Sequence, residues 1–133
     1  VFEVVVKGKR KVTTLTRKRA FATIKVVAEA MLGGETALSY SELAGRLQMP
    51  NETGRGLGPI LDEAAAMCIE HGLPDVSLVI VTKESIDRGY PMPSPDSFVD
   101  GVWPISGLTI EEIPAEQVRV AEYNWRSVKT LGL

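Results

Sequence analysis

The chain has 133 residues, the size of one modest domain, and 44% of them are apolar, an ordinary fraction for a protein with a packed core. Its single cysteine, Cys68, excludes an internal disulfide, and no apolar run approaches the roughly 18–20 residues that a spanning helix needs. A net charge of −2 hides a split: residues 1–25 carry eight bases and one acid, +7, whereas residues 26–133 carry seven bases and sixteen acids, −9.

In chain order, VFEVVVKGKRKVTTLT is rich in valine and threonine, β-branched residues that favour extended backbone. Residues 1–16 are therefore expected to be a basic arm or strands. The short VFEVVV run is followed by charge, which predicts no secretory signal. From Arg17 the period changes. Phe21, Ile24, Val27 or Ala28, and Met31 recur at spacings of three and four, a helical stripe with Thr16 as its expected N-cap and Gly33-Gly34 as its stop. Ser39 and Glu42 have the spacing of a capping box, so a second helix is expected from Ser39 or Tyr40, with Leu43, Ala44 and Leu47 inward. A third helix is expected from Thr53–Arg55 to Glu70 or His71. Its apolar face is Leu57, Ile60, Leu61, Ala64, Ala65, Cys68 and Ile69, and Gly72 ends it.

SLVIV, residues 77–81, predicts a short buried strand. Residues 89–107 hold four prolines and three glycines, which predicts a long loop. A closing helix is expected over 114–130, with proline in its first turn and Val118, Ala121, Trp125 and Val128 along one side. The expected fold class is α+β: a small single domain over 1–133. It comprises the arm (1–16), a helix-turn-helix-like core plus strand (17–82), a proline-rich loop (83–113) and a helix (114–130).

The stretch Tyr40 to Arg55 carries the functional signal. In a helix-turn-helix the first helix braces, while the N-terminal residues of the second reach the bases and its backbone amides hold phosphate. Here Asn51, Thr53 and Arg55 would sit at that helix start, glycines at 54, 56 and 58 would permit close approach, and Arg46 would touch the backbone. The strand at 77–81 would belong to a wing and the following loop to its tip. Residues 40–58, through Tyr40-Ser41-Glu42-Leu43-Ala44 and Arg55-Gly56-Leu57-Gly58, resemble the winged-helix module of the alkylguanine DNA alkyltransferases and alkyltransferase-like proteins. The resemblance implies a winged-helix-like centre that binds DNA through the minor groove. That family's catalytic Pro-Cys-His-Arg-Val run has no counterpart here, so the resemblance implies no alkyl transfer.

Other chemistry is thinly represented. The glycines at 54, 56 and 58 are not followed by the Lys-Ser/Thr of a phosphate-binding loop, and no strand precedes them. Cys68 and His71 share i,i+3 spacing, but two ligands fall short of a structural zinc site. Cys68 is expected in the core and His71 at a helix end. Glu63, Asp75, Glu84 and Asp87, with Lys83, are the runner-up: carboxylates near a strand end, as in metal-dependent nucleases. Tyr90, Phe98 and Trp103 fall in the proline-rich loop, where they stack on bases, hold a protein partner through 89–107, or pin the loop; pinning is expected of Trp103.

The composite expectation is a non-catalytic nucleic-acid-binding domain that favours duplex DNA, with no cofactor, no metal, no membrane partner and a cytoplasmic location. Lys9, Arg10, Lys11, Arg17, Lys18 and Arg19 would meet phosphates, Arg46 would support them, and Asn51, Thr53 and Arg55 would seat the helix start. The alternatives are a protein-interaction or structural module and the metal-dependent nuclease.

Overall fold

The computed structural model describes residues 4–7, 10–50 and 56–133, with side chains placed for 12–50 and 56–133. The arm is a hairpin: β1 (Val4–Lys7) pairs antiparallel with β2 (Arg10–Thr13), in register Val4 to Thr13 and Lys7 to Arg10. Helix α1 (Thr14–Leu32) begins earlier than the sequence pattern suggested. Thr13, not Thr16, is the N-cap, because the Thr13 hydroxyl accepts from the Thr16 amide at 3.1 Å and captures a donor that the helix leaves unpaired. Ile24, Val27, Ala28 and Met31 are buried as the stripe implies, while Phe21 lies at the exposed edge.

The capping box forms as expected. The Ser39 hydroxyl accepts from the Glu42 amide (3.2 Å), and the Glu42 carboxylate accepts from the Ser39 amide (2.9 Å), starting α2 at Tyr40 (Tyr40–Arg46). Just before it, β3 (Leu38–Ser39) pairs in parallel with β4 (Ile80–Val81). Helix α3 (Leu57–Glu70) starts two residues beyond the expected window, after the N-cap Gly56, whose φ of 87° lies in the left-handed region. Its end is a Schellman closure: the Leu73 amide donates to the Cys68 carbonyl (2.8 Å), the Gly72 amide to Ile69 (3.2 Å), and Gly72 takes φ 68°. α2 ends the same way, with Met49 donating to Ala44 (3.1 Å) and Gln48 to Gly45 (3.0 Å), but Gln48 occupies the left-handed position at φ 57°.

The segment expected as strand 77–81 is mostly something else. Val76–Val79 form a 3-10 turn nucleated by Asp75, and only Ile80–Val81 extend. After β4 the chain enters α4 (Lys83–Asp87), where the sequence suggested the start of a wing tip. The closing helix is shorter than 114–130: α5 spans Ile113–Glu122, and 3-10 turns at Trp125–Ser127 and Lys129–Leu131 complete it. Val118 consequently faces solvent and Val120 the core. Trp125 is fully buried, donating its indole N–H to the Val120 carbonyl at 2.8 Å.

The main core joins α1, α2, α3, the 76–80 segment and the C-terminal turns, with α1 packed along α3. Cys68 lies inside it, as expected, and burial pushes its thiol up to about 12. Ile69, expected inward, is about half exposed. A second, smaller core of Ala65, Leu78, Trp103 and Ile113 lies beneath the proline-rich loop. The whole is a small mixed domain of helices and short strands, and among the described residues no helix is long and apolar enough to cross a membrane.

Candidate nucleic-acid interface and the adjoining cleft

Lys9, Asn51, Thr53 and Arg55 lie outside the described residues, and Arg10 and Lys11 are placed only as backbone of β2. The remaining predicted residues divide. Lys18 is exposed and Arg19 half-buried on the first turns of α1. Arg17 on that same turn brings its guanidinium Nε to 3.5 Å from Glu63, a fully buried carboxylate on the second turn of α3. The ion pair ties the basic end of α1 to the N-terminal half of α3. It also gives Arg17 a structural duty that the sequence reading had not assigned, since an unpartnered buried carboxylate is costly. Arg46 is likewise engaged: one guanidinium nitrogen donates to both Glu35 oxygens at 3.1 and 3.2 Å, on the exposed surface, where such a pair contributes only ~0–1 kcal/mol.

Gly56 supplies no side-chain cap, is exposed, and has nothing within 4 Å of where a Cβ would stand. The first-turn amides thus lack a side-chain cap from the N-cap residue, and no acid occupies that turn.

Beside this helix start lies a cleft of about 420 Å³. Leu57, Gly58, Leu61 and Asp62 of α3 form one wall, Tyr40 and the Ser77–Leu78 segment the floor, and Pro93, Ser94, Ser97, Phe98 and Trp103 of the loop the opposite wall. The loop is held by several point contacts. The Ser94 amide donates to the Tyr40 hydroxyl oxygen (2.8 Å), and the Met92 amide donates to the Ser85 hydroxyl (2.9 Å). Gln117 donates to the carbonyls of Leu78 and Pro91, both at 3.0 Å. Burial raises the Tyr40 phenol, against the opposing pull of its hydrogen bonds from Ser94 and Ser97.

Under the cleft is a buried carboxylate. Asp75 accepts from the Ser77 amide (3.0 Å) and hydroxyl (2.6 Å) and from the Trp103 indole N–H (2.9 Å). Its own amide donates to Glu116 (2.8 Å), which also accepts from Arg119 at 2.6 Å. Burial pushes the Asp75 carboxyl above its ordinary value, and the donors from Ser77 and Trp103 pull it part of the way back. Trp103 is therefore pinned, as expected, while Tyr90 is exposed and Phe98 half-buried.

No family model matches the chain. No curated protein and no solved structure matches it either.

The runner-up carboxylates do not converge. Glu63 pairs with Arg17, Asp75 is enclosed beneath Trp103, Glu84 faces Arg88 at 3.6 Å on the surface, and Asp87 is exposed. Among the described residues no group of three or more His, Cys, Asp or Glu side chains is placed to hold a metal ion. Cys68 and His71 do not form a pair: the thiol is enclosed in the core while His71 is exposed at the C-cap of α3. The sequence reading missed the Asp75, Ser77 and Trp103 cluster. Its one local signal was Asp-x-Ser, the spacing of an Asx turn; the Trp103 partner lies 28 residues away and had no signature.

Proposed function

We propose that this chain is a non-catalytic nucleic-acid-binding domain that engages duplex DNA through the start of α3 and the basic segment from the hairpin to α1. The single observation that carries the reading is the Arg17–Glu63 ion pair at 3.5 Å, which brings the basic turn of α1 beside the N-terminal half of α3. The pair joins two features far apart in sequence, the basic first turns of α1 and the second turn of the helix that Gly56 opens without a side-chain cap. Their combination suits phosphate: bases supply the charge, and a helix start that Gly56 leaves without a side-chain cap supplies the oriented amides of Leu57 and Gly58. The bracing helix α2, fixed by its capping box, precedes the turn as in a helix-turn-helix, and a winged-helix-like centre remains part of this proposal. Arg17 and Arg46 serve chiefly to hold the scaffold. The phosphate contacts fall to Lys9, Arg10, Lys11, Lys18 and Arg19, with Asn51, Thr53 and Arg55 at the helix start.

Fluorescence anisotropy with a labelled duplex and a matched single strand tests the reading. Lys18→Glu with Arg19→Glu is expected to weaken duplex binding by about tenfold or more while leaving the fold intact, since each reversal replaces attraction with repulsion. Arg55→Ala is expected to weaken it further. Unchanged affinity in both variants would remove the basis for this interface.

A further inference from the structure

We propose that the floor and loop wall of the cleft, where Tyr40, Ser77, Phe98 and Trp103 meet, bind a small, neutral, bicyclic aromatic molecule through one ring N–H or O–H donor. This inference is independent of the nucleic-acid reading. Its first ground is size and wall chemistry. About 420 Å³ lies in the range of small-molecule sites, and the rings of Tyr40, Phe98 and Trp103 stand beside the aliphatic Leu61 and Leu78. Such rings favour a flat guest that stacks or packs edge to face.

The walls are already positioned. The Trp103 indole is fixed by its 2.9 Å bond to Asp75. The Tyr40 hydroxyl is engaged by the Ser94 amide at 2.8 Å and by the Ser97 hydroxyl. Little side-chain freedom is therefore left to lose on binding.

Polarity fixes the guest's functional group. Ser77 lines the cleft, and both it and Asp75 beneath it are more than nine-tenths buried. Ser77 gives its only hydroxyl proton to Asp75 at 2.6 Å, so toward a guest its oxygen can only accept. The Trp103 N–H is likewise committed to Asp75. A guest N–H or O–H set against the Ser77 oxygen would extend a chain of donors, guest to Ser77 to Asp75, in which each bond polarises the next. A guest atom offering only lone pairs there would meet the lone pairs of the Ser77 oxygen. Asp75 already receives three hydrogen bonds, so the chain calls for a neutral donor rather than a second charge.

Indole and benzofuran test this, because they share a shape and differ by a ring N–H against a ring oxygen. Each is titrated into the full chain to about 5 mM while the indole N–H resonances of Trp103 and Trp125 are followed by NMR. Trp125 is the internal control, enclosed in the main core with its N–H on the Val120 carbonyl. Indole is expected to shift the Trp103 resonance saturably, to leave Trp125 unmoved, and to bind about fivefold or more tighter than benzofuran, the value of one hydrogen bond. Ser77→Ala is expected to bring the two within about twofold of each other, and Phe98→Ala to weaken both. N-acetyl-tryptophan amide, the same ring on a peptide backbone, is expected to bind no tighter than indole. Absence of a saturable Trp103 shift with indole would overturn the proposal, as would equal affinities for indole and benzofuran. Tighter binding of the tryptophan amide would assign the cleft to a side chain of a partner protein and overturn it too. The wild-type comparison decides even where a variant fails to fold.

Discussion

Asp75→Ala is the most informative perturbation of the scaffold. The carboxylate accepts three hydrogen bonds, from the Ser77 amide at 3.0 Å, the Ser77 hydroxyl at 2.6 Å and the Trp103 indole at 2.9 Å. Removing it strands two donors that cannot rotate away, the Ser77 amide and the Trp103 indole, in surroundings where Ser77 and Trp103 are 5% and 6% exposed. Each stranded buried donor costs roughly 1–3 kcal/mol, or about 2–6 kcal/mol together. Part of that is offset, because the carboxylate's own desolvation, visible in its raised pKa, disappears with it. The expected net loss is about 2–4 kcal/mol. Urea unfolding at pH 7, followed by circular dichroism and tryptophan fluorescence, measures it. Trp103 is expected to lose its buried environment in Asp75→Ala already before the main transition, since it anchors the loop, while Trp125 in the main core reports global unfolding. A loss below about 0.5 kcal/mol, the size of a surface substitution, with an unchanged fluorescence spectrum would refute the view that this carboxylate holds the loop.

Three further outcomes are expected. Because folding raises the Asp75 pKa above 3.8, the protonation-linked part of its contribution to stability is fully present below that pH and is lost as pH rises through the folded value, while its hydrogen bonds from Ser77 and Trp103 remain. Carbon-detected titration of the side chain should give a midpoint above 3.8, and Asp75→Asn should remove that part of the pH dependence; a midpoint at or below 3.8 contradicts the desolvation account. Gln48→Gly, at a left-handed position that closes α2, should raise stability by about 0.5–1 kcal/mol in the same urea assay, against a cost of roughly 1–2 kcal/mol for an L side chain there. Cys68, buried and with its thiol near 12, should resist a thiol reagent in the native protein at pH 8 and react fully in denaturant; fast native labelling would place it outside the core.

Much of the helical framework was legible because its signals are local. Ser39 and Glu42 mark the capping box, Gly33-Gly34 and Gly72 mark the ends of α1 and α3, and the three-and-four spacing of Ile24, Val27 and Met31 marks the buried face of α1. The errors came where two local rules competed. Val76–Val79 have strand propensity, yet Asp75 accepts from the Ser77 amide and bends the chain into a 3-10 turn before Ile80. Thr16 was the expected cap of α1, but the hairpin register that pairs Val4 with Thr13 carries the extended backbone only as far as Thr13, which caps the helix instead.

Charged residues were the hardest to read. Arg17 and Glu63 are 46 positions apart, and nothing local distinguishes a buried Glu63 from the exposed acids around it; only the packing of α1 on α3 pairs them. Arg46 and Glu35 form a surface pair across the β3 connection for the same reason. The cleft was invisible in the sequence because its walls come from α2, α3, the 76–79 turn and the 93–103 loop, joined through single hydrogen bonds such as Tyr40 to Ser94.

The salt dependence of duplex binding tests the central claim most directly. With Arg17 and Arg46 held by Glu63 and Glu35, the bases assigned to phosphate are Lys9, Arg10, Lys11, Lys18, Arg19 and Arg55, and six neutralised phosphates correspond to a slope of about −5 in log affinity against log salt. The account predicts clear association with a duplex at about 50 mM salt, a slope of about that size, and a shallower one for Lys18→Glu with Arg19→Glu. No association at about 50 mM salt, or binding that ignores salt, would contradict it.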